Sequence, residues 1–270
     1  MSAVQEKCSL KEAYSMDREF ISVMSIEEAV RSAGPDTAYY GGGTEIERLG
    51  SGVAQKKLIL LNHIPELYGI RQQAGEVRIG AMTTFSQALK DPAAPAYLKE
   101  ALLFCGSFQK RNMATIGGNI AAWRSDSYLV PTLLAADALL EIADASGIRQ
   151  IDAADYANEE IRSSNALITA VVLPDEGDSL HVLSKRYANT VESHAYLTIA
   201  MGRMDDTYHI GLAVKGCGIY TPDIRNWSLA WREAGVQDDM FGSEAYKKYL
   251  TGVTLDDMYE KLSQEGGDWR

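Results

Sequence analysis

The sequence holds little cysteine and little histidine. Its three cysteines, Cys8, Cys105 and Cys217, show no pairing pattern, which excludes a disulfide framework and leaves reduced thiols as the expectation. They are also too few for a self-contained iron–sulfur cluster, which takes four thiolates. The four histidines, His63, His181, His194 and His209, have no metal-ligand spacing, and no zinc site can be read from them. No apolar run approaches the roughly 18 residues of a membrane span. Met1 to Asp17 carries charges of both signs and no apolar signal-peptide core, so a cytoplasmic location is the expectation. Basic charge is scarce too. With 26 Lys and Arg against 37 Asp and Glu, the net charge of −11 argues against binding a nucleic-acid backbone.

What is present is a chain of 270 residues with 46% hydrophobic and 23% charged residues, enough for one large or two modest globular domains. Two short glycine runs stand out in it: Gly41-Gly42-Gly43-Thr44-Glu45 and Ala114-Thr115-Ile116-Gly117-Gly118-Asn119. Each is expected to follow an apolar, strand-like run and to open a polar turn. Glycine reaches positive φ without steric cost and lets a ligand approach the main chain. Successive N–H groups in such a turn form a concavity for anions. Two of them suggest a phosphate-bearing ligand gripped from two sides. Neither run closes with the Lys-Ser/Thr of a Walker loop. Gly216-Cys217-Gly218 lacks the third glycine of a dinucleotide fingerprint and precedes no helical pattern.

Patterning predicts an α+β fold. Ser25-Ile26-Glu27-Glu28 reads as a capping box opening a helix to about Ala33, stopped by Gly34-Pro35. Strands are expected at Thr37–Tyr40, Lys57–Leu61 and Ala166–Leu173. Hairpins are expected around Ala74-Gly75 and Ser146-Gly147. Short helices should start at Thr84 and Pro95, and another should cover Leu129–Ala136. Polar residues 174–178 mark the domain boundary, giving 18–174 and 178–266. Beyond it, three strand-like runs (Leu180–Tyr187, Ala195–Gly202, Tyr208–Val214) form an antiparallel sheet. Helices at Trp227–Ala234, Glu244–Leu250 and Leu255–Leu262 follow it.

The same strings carry a family resemblance. Gly42-Gly43-Thr44-Glu45-Ile46, Leu61-Asn62-His63-Ile64-Pro65-Glu66-Leu67, Ile79-Gly80-Ala81-Met82-Thr83-Thr84 and Ala114 to Asn119 come in matching order and spacing. Together they resemble the FAD-binding subunits of molybdenum hydroxylases, the xanthine dehydrogenase and carbon monoxide dehydrogenase group. The resemblance implies an FAD-binding domain of two subdomains, then a smaller α+β domain with a three-stranded antiparallel sheet and helices. It implies that Gly42, Gly43, Thr44, Glu45 and Ile46 meet the FAD diphosphate, and that Thr115, Gly117, Gly118 and Asn119 lie along the ribityl and diphosphate. Lys185 matches the lysine of the family's K-x-x-R strand, where a cation would stabilise the anionic N1 of reduced flavin.

The chain departs from the family pattern in two places. Counting from Asn119 puts Tyr128 in the slot of a family aspartate, with Asp126 two residues earlier as its substitute. Ser193, before His194-Ala195, stands for another. The resemblance further implies an iron–sulfur subunit and a molybdopterin-binding large subunit as partners, and NAD or another acceptor for the electrons. Two other readings stay open at this point: a non-catalytic scaffold of the same fold, and a free-standing FAD oxidoreductase.

Overall fold

A computed structural model describes residues 18–48, 55, 57–175, 180–190 and 193–264. The chain opens with β1 (Glu19–Ser22), α1 (Ile26–Ser32), β2 (Thr37–Tyr40) and β3 (Lys57–Leu60). These three strands form a parallel sheet in the order β1-β3-β2. Ser25 caps α1 by accepting the Glu28 N–H at 3.2 Å. The Glu28 carboxylate reaches one residue further back than a capping box requires, accepting from Met24 N–H at 2.8 Å.

The middle of the chain runs β4 (Ile70–Gln73), β5 (Glu76–Gly80), α2 (Phe85–Lys90), α3 (Ala96–Leu103) and α4 (Phe108–Met113). It continues through α5 (Ile116–Ala122), α6 (Leu129–Ala135), β6 (Leu139–Asp144), β7 (Gly147–Asp152), α7 (Glu159–Ser163) and β8 (Leu167–Pro174). The strands make one antiparallel sheet ordered β4-β5-β8-β6-β7. Central β8 is buried from Leu167 through Leu173, as its unbroken apolar run requires. Both expected hairpins form.

The last part holds β9 (Leu180–Tyr187), β10 (Leu197–Met204), β11 (Thr207–Val214), β12 (Gly218–Tyr220), α8 (Trp227–Glu233) and α9 (Glu244–Gln264). The three long strands are those expected, and the three-residue β12 adds a fourth at the β11 edge. Helix α6 lies directly on this sheet. A Cβ on Gly202 would sit 1.8 Å from the Ala135 carbonyl oxygen, and one on Gly211 would sit 2.0 Å from that of Pro131. Only glycine lets the helix backbone come that close. The segment after α5 is thereby held against β9 to β11.

Three expectations are corrected. The second glycine run is the first turn of α5, not a loop, because Thr115 caps it and its short residues fit a crowded helix start. The two helices read near the C-terminus are one, α9. Residues 251–254 fall between the two expected helices, yet the Thr251 hydroxyl donates to the Lys247 carbonyl and Gly252 faces the Trp227 ring. Short helices α4 and α7 were not expected. Among the described residues no helix is long and apolar enough to cross a membrane.

Candidate functional site

The first glycine run leaves the end of β2. Gly43 takes φ of +71°, which turns the chain into a helical turn closed by Glu47 N–H donating to the Gly43 carbonyl at 2.9 Å. The N–H groups of Gly42, Gly43, Thr44 and Glu45 find no acceptor among the described residues. Four successive donors are thus left without a partner among the described residues, at positions that are buried (Gly43) or half-buried.

The second run is different. Ile116 N–H donates to the Thr83 carbonyl, Gly117 N–H to that of Ala81 at 2.8 Å, and Asn119 N–H to that of Thr115. Gly118 N–H is taken by the Thr115 hydroxyl at 3.1 Å. Every amide from 116 to 119 is spent inside the protein. The second run therefore adds one amide without an acceptor among the described residues, that of Thr115, in place of the stretch that the sequence reading expected. What it supplies is smallness: a Cβ on Gly117 would sit 2.5 Å from the Ala81 Cβ.

The two runs do come together. A Cβ on Gly41 would lie 3.2 Å from the Thr115 hydroxyl, and one on Gly42 would lie 1.6 Å from the Met113 carbonyl oxygen. A cavity of about 360 Å³ opens beside them. It is lined by residues 41–46, by Thr115, Gly118 and Ala121, and by Tyr39, Tyr156 and Arg162. A smaller cavity of about 90 Å³ lies across the loop, sharing Thr44 and Glu45. Asn119, Arg124 and Asp126 line it, with Lys110 and His194. Thr115 is buried, whereas Gly118 is exposed and Asn119 half-buried, its side-chain oxygen accepting from Ser127.

Charge is concentrated where the cavities meet. Arg124 grips Asp126 with two hydrogen bonds, 2.8 and 2.7 Å, and reaches Glu45 at 3.1 Å. Arg48 holds the same Glu45 oxygen at 2.8 Å. Burial works to raise the Asp126 pKa, but Arg124 outweighs it and holds the carboxyl below its usual range. Glu45 behaves likewise, burial being overcome by Arg48 and Arg124. His194 stands 3.6 Å from Asp126. Burial lowers its pKa, and the attraction of Asp126 only partly offsets this.

Arg124 owes its position to a strained neighbour. Trp123 ends α5 in the left-handed region at φ of +41°, a conformation costing roughly 1–2 kcal/mol for a residue with a Cβ. Its ring packs edge-on to Tyr156 at 5.4 Å, and the Arg162 guanidinium lies over it. Sequence reasoning passed over Arg48, Arg124, Arg162 and Tyr156. The one signal available was the presence of cations beside the glycine runs in an acidic chain.

Lys185 is not brought to the glycine runs. It is exposed on β9, with its ammonium over the Tyr187 ring at 5.5 Å. Strand alternation sends its neighbour the other way. Arg186 lies over the Phe104 ring at 5.4 Å and donates to the Ser193 carbonyl, and both Phe104 and Ser193 line the smaller cavity. Tyr128, in the slot expected to hold an aspartate, is packed toward Cys105. Burial, reinforced by Cys105, pushes its phenol pKa up.

The sequence profile described as the FAD binding domain in molybdopterin dehydrogenase matches residues 15–176, more than half of the chain. The chain belongs to the family of FAD-binding subunits of molybdenum hydroxylases. It is 30% identical to the uncharacterized protein YgfM of Escherichia coli strain K12, over 93% of this chain and 98% of that one. The glyceraldehyde dehydrogenase medium chain of Sulfolobus acidocaldarius is 26% identical, over 90% and 84% of the two chains. In fold, this FAD-binding subunit resembles carbon monoxide dehydrogenase from Hydrogenophaga pseudoflava. That match has a TM-score of 0.75 at 21% identity and covers 88% of this chain and 94% of that one.

FAD is the cofactor of this family of oxidoreductases, and the residues present suit it. Its diphosphate is an anion, and four unspent amides with Arg48 and Arg124 behind them form a matching cradle. Two cavities meeting at that cradle suit a long molecule with its charge in the middle.

Proposed function

We propose that residues 42–46 hold the FAD diphosphate, with Thr115, Gly117, Gly118 and Asn119 forming the opposite wall. In this reading the chain is the electron-transferring flavoprotein of a complex. An iron–sulfur subunit would deliver electrons and NAD or another acceptor would receive them, while the molybdopterin would sit on a separate large subunit. FAD supplies the two-electron/one-electron redox chemistry. The chain's own part is to bind, orient and shield it. The Gly42 to Glu45 amides would donate hydrogen bonds to the diphosphate, and Thr115, which caps α5, lies against Gly41 of the first run. Asp126 and Glu45 are paired with two arginines, Arg124 and Arg48, so the two carboxylates present no net negative charge to the ligand. The division into 18–174 and 178–266 belongs to the same proposal.

The four unspent amides are the observation that carries this reading. The partner assignment is supported by chemistry the chain lacks, since three cysteines cannot build the cluster. The test has two arms. Protein purified without added ligand should show flavin absorption and release FAD, not FMN, into acid. The isolated chain should leave heterocycles and aldehydes untouched, and adding its iron–sulfur and molybdenum subunits should restore transfer to an acceptor. Turnover by the isolated chain would replace this reading with that of a free-standing enzyme.

A further inference from the structure

We propose that Arg124 is the positioning residue of the first glycine loop, and that it sets FAD affinity by fixing Glu45. The inference rests on the reading that residues 42–46 hold the diphosphate. Glu45 ends the row of four unspent amides and lies within the helical turn closed by Glu47 N–H on the Gly43 carbonyl. Its carboxylate is a liability beside a diphosphate, because two anions at close range repel. Arg48 alone is a poor remedy, since it lies three residues along on the same turn and moves with Glu45. Arg124 comes from a different element, 79 residues away in sequence.

Arg124 is well placed to be an anchor. Its guanidinium is fixed by two parallel bonds to Asp126, which is 6% exposed. A bidentate arginine–carboxylate pair fixes direction as well as distance. The backbone before it is set by the left-handed Trp123, held in turn by Tyr156. One of the three remaining N–H groups of this fixed guanidinium, on Nη1, donates to Glu45 and ties the loop to the segment after α5. A loop ordered before its ligand arrives loses less entropy on binding. Lysine cannot hold both carboxylates in that geometry.

Arg124→Gln, Arg124→Lys and Gly43→Ala test the proposal on the full chain. FAD affinity is read by quenching of flavin fluorescence, and the melting temperature of the FAD-free form is read beside it. Arg124→Gln should weaken FAD binding at least tenfold. Arg124→Lys should fall between it and the parent, with a melting temperature within a few degrees of the parent. A loss of affinity with a nearly unchanged melting temperature is a result that a purely structural ion pair would not give. Should Arg124→Gln fail to fold, the Lys variant decides alone. Affinity within threefold of the parent in folded Arg124→Lys and Arg124→Gln, or in the Lys variant alone, would overturn the proposal. If Gly43→Ala loses FAD while the Arg124 variants do not, the loop reading stands and only the anchor falls. If none of the three loses FAD, the loop reading falls with it.

Discussion

Gly42 lies against the backbone of Met113, so closely that a Cβ would sit 1.6 Å from the Met113 carbonyl oxygen. The first glycine loop and the approach to α5 are therefore in main-chain contact. Gly42→Ala should force these two backbones apart, because neither neighbour is a side chain that can rotate away. We expect a loss of about 1–3 kcal/mol in stability of the FAD-free protein, together with weaker FAD binding. Thermal melting followed by flavin titration checks both.

Gly43 and Gly117 should separate binding from folding. Gly43 sits at φ of +71° in the row of unspent amides, so Gly43→Ala strains or turns the loop by about 1–2 kcal/mol. FAD affinity should drop by more than the melting temperature implies. Gly117 has already spent its N–H on Ala81, and its added Cβ would collide with Ala81. Gly117→Ala should lower stability first, with affinity changing only as far as the walls move. Equal affinity losses with no loss of stability in Gly117→Ala would reverse the roles assigned to the two runs.

Much of the fold was legible, and the site was half legible, for physical reasons. Ser25 and Thr84 announce helix starts because their side chains accept amides two or three residues on, which is local chemistry. The hairpins are local too. The spent amides of Ile116 and Gly117 were not legible, because their acceptors, Thr83 and Ala81, lie some 35 residues earlier and reach α5 only through the tertiary fold, whereas Gly118 and Asn119 bond locally to Thr115. Helix α9 hid behind Thr251 and Gly252, whose weak helix propensity is overridden by burial of Thr251, Thr254, Leu255 and Met258. Arg124 escaped notice because its two carboxylates come together only after folding.

The acid limb of stability should report the Asp126–Arg124 pair. Asp126 titrates below its usual value in the folded protein. Its contribution is therefore fully present above the unfolded value, about 4, and is lost as pH falls through the lower folded value. Asp126→Asn should cost about 1–3 kcal/mol near neutrality. The gap between variant and parent should close as the pH is taken from 5 toward 3. A gap that stays constant over that range would show that the pair does not carry the difference.

Lys185 and its neighbour should behave oppositely. Lys185 is exposed and stacked on Tyr187, whereas Arg186 reaches Phe104 and Ser193 beside the smaller cavity. Lys185→Ala should leave the flavin spectrum unchanged and FAD affinity within about twofold. Arg186→Ala should weaken binding or shift the flavin absorption. Difference spectra and titration of the two variants decide between them, and a reversed pattern would restore Lys185 to the site.

Amide-resolved hydrogen exchange with and without FAD tests the central claim most directly. The amides of Gly42, Gly43, Thr44 and Glu45 have no acceptor among the described residues, whereas those of Ile116, Gly117, Gly118 and Asn119 are already bonded. FAD should slow exchange at residues 42–45 and leave 116–119, protected beforehand, nearly unchanged. Protection that arises at 116–119 on FAD binding, with 42–45 still exchanging freely, would contradict the account.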